Sequence, residues 1–139
     1  MGLVYADIEL VNAGDIEVFQ RGYIKGTEIR TQNVKVLVNS GAYTLCINEN
    51  IKNQLGLRKV HEMEAELANG KIEKVDMVGP ITIRIFNRMT NCNAAVFPGD
   101  TEVLLGWIPL EDMDLILDSK EEVLKLPEDR KYLAKKKIK

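Results

Sequence analysis

From Leu3 onward, short runs of alternating apolar and polar residues are broken by turn formers about every ten positions, which leaves little room for helix. LVYADIELV, residues 3–11, sets Val4, Ala6, Ile8 and Leu10 against Tyr5, Asp7 and Glu9, the pattern of a half-buried strand. TEIRTQNVKVLVN returns to alternation, with Val34, Val36 and Val38 on one side of a long strand. TLCINENIKNQLGL starts as a strand and ends as a helical turn stopped by Gly56. HEMEAELANGKIEKVDMV carries the strongest hairpin signal, with Asn69-Gly70 as a type I′ pair and Leu67 facing Ile72 across it. VGPITIRIFNR, NCNAAVFPGD and TEVLLGW predict three further short strands, with Pro80 and Pro98 at strand starts or turns. Helix is confined to a short or irregular excursion over residues 14–26, to the turn before Gly56, and to a turn in PLEDMDLILD that leads into a last strand. In the excursion Asp15 is placed to cap the first turn, and Ile16, Phe19 and Tyr23 share a face. An all-β barrel or sandwich with one or two short helices follows.

At 139 residues the chain suffices for one domain with a proper core, so residues 1–139 are read as a single unit. A net charge of −2 creates no field that would attract nucleic acid. No apolar run approaches the roughly 20 residues of a membrane span. MGLVYADIEL lacks a basic start and a long apolar segment, so secretion is not expected and a cytoplasmic setting is. Cys46 and Cys92 lack C-x-x-C spacing and read as reduced thiols. The single histidine, His61, lies in the charged stretch RKVHEMEAE, away from both cysteines, so neither a metal nor a cofactor is expected. EDRKYLAKKKIK, within a C-terminal extension over residues 119–139, reads as a solvated end rather than a nucleic-acid or membrane contact.

Three motifs remain. The strand through Val38 delivers the tetrad Asn39-Ser40-Gly41-Ala42, the hairpin tip reads Leu67-Ala68-Asn69-Gly70, and Leu104-Leu105-Gly106-Trp107 follows near the C-terminus. Each is short, but in this order and spacing they resemble the single-domain, retropepsin-like aspartic peptidases of bacteria over about residues 3–118. The resemblance implies a closed acid-protease barrel. It places the catalytic Asp position at Asn39, with Ser40 bracing the loop and Gly41 allowing close backbone approach. Leu67, Ala68, Asn69 and Gly70 would form a flap that binds substrate together with Ala42, and Leu104, Leu105, Gly106 and Trp107 would support the active loop.

Peptide hydrolysis by this route needs two carboxylates sharing a proton across a water, and one chain supplies one position. The resemblance therefore implies a homodimer acting on a peptide or protein substrate. Asparagine has nearly the size of aspartate but no charge and no proton-accepting oxygen at neutral pH, so a pair of them cannot form the dyad. Hydrolysis is expected to be lost while fold and cleft survive, and removing carboxylate repulsion favours the dimer. An engineered inactive variant and a natural chain that only binds peptides fit the substitution equally. The alternative function is a non-catalytic peptide-binding or assembly module on the same fold. Two departures stand out: Tyr43-Thr44 and Trp107 replace the acidic residues and the arginine that support retroviral dimers, and simple core packing is the expected role of Trp107. Asp100-Thr101-Glu102 and Asp118-Ser119-Lys120 lack the glycine that a second such loop requires.

Overall fold

The computed structural model describes residues 3–139. Strand β1 (Val4–Asn12) pairs antiparallel with β2 (Thr31–Val38), Ile8 opposite Val34 and Val4 opposite Val38. Beyond β2 the sheet continues through β7 (Leu104–Leu105), β3 (Leu45–Asn48), β6 (Arg88–Phe97) and β5 (Ile72–Ile85), and β5 returns to pair with β1. The sheet thus closes on itself, as the all-β reading expects. Strand β4 (Arg58–Glu66) pairs with β5 alone and stays outside the ring. Inward residues of the alternating strands, among them Leu10, Val36, Leu45, Ile83 and Leu105, are completely buried. Their removal from water is the main force holding the ring shut.

Among the described residues there are three short α-helices, one more than the upper expectation: α1 (Ala13–Gln20), α2 (Glu49–Leu55) and α3 (Trp107–Asp112), with a 3-10 turn at Gly26–Glu28. The cap of α1 is Asn12, not Asp15. The Asn12 Oδ1 accepts from the Asp15 N–H at 3.0 Å, and its Nδ2 donates to the Leu55 carbonyl at 2.8 Å, which ties α1 to the end of α2. Asp15 instead takes a forked bond from Arg30, at 2.8 and 2.9 Å, which holds its carboxyl below the usual range. The face predicted for Ile16, Phe19 and Tyr23 is not a buried one, since Phe19 and Tyr23 are exposed and α1 buries no residue fully. Helix α2 ends as read, at Gly56 in the left-handed conformation (φ 61°).

After the hairpin the strand predicted from VGPITIRIFNR merges with the hairpin's second strand, and the one predicted from TEVLLGW shrinks to the two residues of β7. β5 runs for 14 residues through Gly79-Pro80, where its register to β6 shifts, so Pro80 lies inside a strand rather than at its start. The hairpin turn is also different. Leu67 N–H donates to the Lys71 carbonyl at 2.8 Å and Gly70 N–H to the Leu67 carbonyl at 2.9 Å, so three residues turn the chain, with only Gly70 at positive φ (82°). A type I′ pair would need Asn69 there too. The extra residue sets Ile72 opposite Glu66 instead of Leu67 and leaves Ile72 exposed.

The C-terminal segment does not hang free. β8 (Ile116–Asp118) and β9 (Val123–Lys125) form a hairpin that buries Leu124 in the main core. The buried Arg88 guanidinium donates to the Met113 carbonyl at 2.9 Å and also to the Arg130 carbonyl, and Arg130 pairs with Asp114 at 2.7 Å.

Candidate functional site

Where β2 ends, the chain turns sharply and is held to the β7–α3 junction by backbone bonds. Val38 is paired with Leu105 in parallel register, and Asn39 N–H donates to the Leu105 carbonyl at 3.0 Å. Past the turn, Trp107 N–H donates to the Ala42 carbonyl at 2.9 Å and Ile108 N–H to that of Tyr43 at 3.2 Å. Gly106 makes the approach feasible, because a methyl group there would strike the carbonyl oxygens of Ala42 and Thr44. Leu105, Gly106 and Trp107 thus meet the loop that carries the tetrad, whereas Leu104 pairs with Leu37 and Cys46 in the strands on either side of it. Trp107 is not core packing: it is 41% exposed and meets the exposed Tyr43 ring edge-to-face, centroids 6.0 Å apart.

Within the tetrad, Ala42 N–H closes the turn on the Asn39 carbonyl at 3.0 Å, and Gly41 N–H donates to the Asn39 Oδ1 at 2.9 Å. A Cβ on Gly41 would lie only 3.1 Å from that oxygen, so the small residue keeps the amide in place. Asn39 and Ser40 are exposed on a loop whose backbone is tied down.

Beside the loop lies a cleft of about 640 Å³. Asn39, Gly41 and Ala42 stand at one side, and Met63, Ala65, Leu67 and Ala68 of the β4–β5 hairpin cover it. Cys46, Val75, Met77, Ala95 and Phe97 form an apolar floor reaching to Leu104. The tetrad and the hairpin tip, far apart in sequence, therefore do meet across one cavity. Ser40, Asn69, Gly70, Leu105, Gly106 and Trp107 do not line it. The period of two explains the hairpin's share, since Met63, Ala65 and Leu67 turn one way and Glu62, Glu64 and Glu66 alternate with them. The same alternation in EMEAEL was the signal for Met63 and Ala65, which the motif reading passed over. Val75, Met77, Ala95 and Phe97 had no signal that separates a cleft floor from a core.

The cleft's chemistry is close to neutral. Burial pushes the Cys46 thiol up to about 11, so it is uncharged at pH 7, and Cys92, on the core side, is pushed up to about 12. Glu64 and Glu66 border the cavity from the hairpin. Asp118 accepts backbone N–H bonds from Glu121 and Lys120 and pairs with Lys125, so its lowered pKa serves the β8–β9 turn. Asp100 bonds to Asn50, and neither aspartate lines the cleft. Among the described residues no group of three or more histidine, cysteine or acidic side chains could hold a metal, and no helix is long and apolar enough to cross a membrane.

Comparison with known proteins bears on what such a loop and cleft belong to. The crystal structure of the retroviral protease-like domain of Ddi1 from Leishmania major superposes with a TM-score of 0.54 at 13% identity, covering 92% of this chain and 90% of that one, which establishes a shared fold. A retropepsin-like aspartic protease from Rickettsia conorii aligns with a TM-score of 0.46 at 15% identity, over 86% of this chain and 91% of that one. No curated protein matches the sequence. The family model described as "gag-polyprotein putative aspartyl protease" matches residues 26–112, a stretch that includes the tetrad, the hairpin and the Leu104-Leu105-Gly106 motif. With more than half of its length matched, the chain belongs to this retropepsin-like aspartyl protease family.

Proposed function

We propose that residues 1–139 form a single peptide-binding unit of the aspartic endopeptidase type that works as a homodimer and, as written, hydrolyses peptide bonds little or not at all. The observation that carries this reading is the loop: Asn39 is exposed, its backbone is fixed to Leu105, and it borders an apolar cleft beneath a hairpin. In such a dimer residue 39 of each copy would face its twin, Ser40 would brace the two loops, and the hairpin tip at Ala68, Asn69 and Gly70 would act as a flap. Exposure of Asn39 and Ser40 in one copy is what a site completed by a second copy requires. Extended substrate would lie along the cleft with its apolar side chains on Val75, Met77 and Phe97. Asparagine supplies neither the general base nor the general acid.

The test is a peptide-library cleavage assay from pH 4 to 7 on the protein and on Asn39→Asp, with intact mass checked for Asn39 deamidation. Cleavage by the Asn39→Asp protein alone supports a peptidase silenced at one position. Peptide binding without cleavage by either protein would favour a non-catalytic binding or assembly module, the reading to which the neutral amide lends itself. Sedimentation of both proteins at neutral pH tests the dimer, with the Asn39 form expected to associate more tightly than Asn39→Asp.

A further inference from the structure

Two exposed asparagines precede a small residue in a turn, Asn39-Ser40 in the tetrad loop and Asn69-Gly70 at the hairpin tip. Every other asparagine lies in a strand or helix, except Asn87, which precedes the large Arg88. Both turn side chains fold back on their own backbone. The Asn39 Oδ1 accepts from the Gly41 N–H at 2.9 Å, and the Asn69 Oδ1 from the Lys71 N–H at 3.0 Å. The amide that follows each asparagine tells them apart. Gly70 N–H donates to the Leu67 carbonyl at 2.9 Å, whereas Ser40 N–H meets no acceptor among the described residues. This difference matters chemically, because the nitrogen after an asparagine is the nucleophile when its side-chain amide is lost.

We propose that Asn39 is a modification site, at which the single copy converts its own amide into a carboxylate. The Ser40 nitrogen gives up its proton and bonds to Asn39 Cγ, the bond from Cγ to Nδ2 breaks, and ammonia leaves with the proton as a five-membered imide closes. Water then opens the imide. Breaking the bond from Cγ to the Ser40 nitrogen yields aspartate in an unaltered backbone, and breaking the bond from the backbone carbonyl to that nitrogen yields an isoaspartyl linkage. The Gly41 N–H helps, since it points at the oxygen on which charge develops during the attack. The Ala42 N–H opposes, since ring closure turns the Asn39 carbonyl that it holds at 3.0 Å. The aspartyl product alone preserves the spacing between the N–H bonded to Leu105 and the carbonyl bonded to Ala42, so the folded loop favours it. The consequence, though not the chemistry, rests on the peptidase reading above: the loop would acquire the acid that Asn39 lacks. In the proposed dimer Ser40 braces its twin and its amide is covered, so association protects Asn39 and conversion belongs to the single copy.

The experiment incubates the full chain at pH 8, folded and in concentrated urea, at a dilution where sedimentation shows single copies. Peptide mapping that separates aspartyl from isoaspartyl products follows residues 39 and 69 together. In urea Asn69-Gly70 should convert faster, since glycine hinders the attack least. Folding should raise the ratio of Asn39 to Asn69 conversion about fivefold, the worth of the one hydrogen bond that restrains the Gly70 N–H. A ratio unchanged or lowered by folding would overturn the inference, as would isoaspartate as the main product at residue 39 of the folded chain. Samples concentrated again after incubation are then assayed on the peptide library beside Asn39→Asp and Asn39→Gln. Cleavage should grow with the square of the aspartyl fraction at residue 39, because both copies of a dimer must carry the acid, and the glutamine variant should gain none. Conversion at Asn39 with no cleavage by the converted chain or by Asn39→Asp would overturn the peptidase reading and leave the modification site standing.

Discussion

Two apolar clusters share the strands β5 and β6 but lie on opposite faces of them. Val78, Ile81, Ile83 and Ala94 belong to the enclosed core, whereas Val75, Met77 and Ala95 belong to the cleft floor. Each has one free cysteine packed against it, Cys92 on the core and Cys46 on the floor. The core is surrounded by the closed ring and by the C-terminal hairpin through Leu124, and the floor is covered only by β4 and its turn. Adjacent residues such as Ala94 and Ala95 thus serve stability and ligand binding separately. A strand can hold a cleft open on one face because the other face is fully used.

The sharpest way to break the distinction is paired truncation. Ile83→Ala, in the core, should lower unfolding stability by about 2–5 kcal/mol in urea melts. Met63→Ala, in the half-buried cleft cover, should cost about 1 kcal/mol or less and instead weaken peptide binding. Equal stability losses would erase the difference between the clusters. Gly106→Ala tests the junction where the two regions meet. Displacing the Ala42 and Thr44 carbonyls should cost about 1–3 kcal/mol and also impair binding, since the loop carrying Asn39 must shift.

Acid should act on the core side. The Arg130 guanidinium holds the Asp114 carboxyl below its ordinary value, so the folded group titrates lower than the unfolded one, near 3.9. Its contribution is complete above that unfolded value and is lost as pH falls through the lowered folded one. Urea midpoints measured from pH 6 to 3 should decline less steeply in Asp114→Asn than in the parent chain, and identical slopes would remove Asp114 from the account. The smallest effect is chemical. With Cys46 pushed up to about 11, its thiolate fraction at pH 7.5 is about a hundredfold below that of an ordinary thiol, and alkylation should slow in proportion. Cys92 should react more slowly still, and bound peptide should protect Cys46 alone.

What the sequence disclosed was whatever depends on local pattern. Val36 and Val38 announced their strand, Gly56 its helix end, and the three motifs the family and the meeting of loop and hairpin. What it concealed depends on distant partners. Residues 13–20 form a helix that buries little, because Asn12 anchors it to Leu55 rather than an apolar face anchoring it to the core. β5 continues past Gly79-Pro80 because β1 and β6 supply partners beyond the break. EDRKYLAKKKIK reads as a solvated end, and residues 131–139 are exposed, yet Arg130 within it pairs with Asp114 and Leu124 ahead of it is buried in the core. Trp107, read as core, was misplaced because its exposure follows from the loop it adjoins.

The pairing of β1 with β5 has a consequence for the order in which the molecule is made. β1 meets β2 across a short stretch of chain, but Leu10 finds Ile83 only after most of the polypeptide between them exists. On a ribosome the first strand would emerge early, pair on one side, and wait with its other edge open until the fifth strand arrived. Contacts of such long separation slow folding, and an open edge in the interval invites pairing with a neighbouring nascent chain. The ring is complete only when β6 and then β7 have also emerged and paired, so open edges persist through that interval, and it is when this chain is most exposed to misassembly.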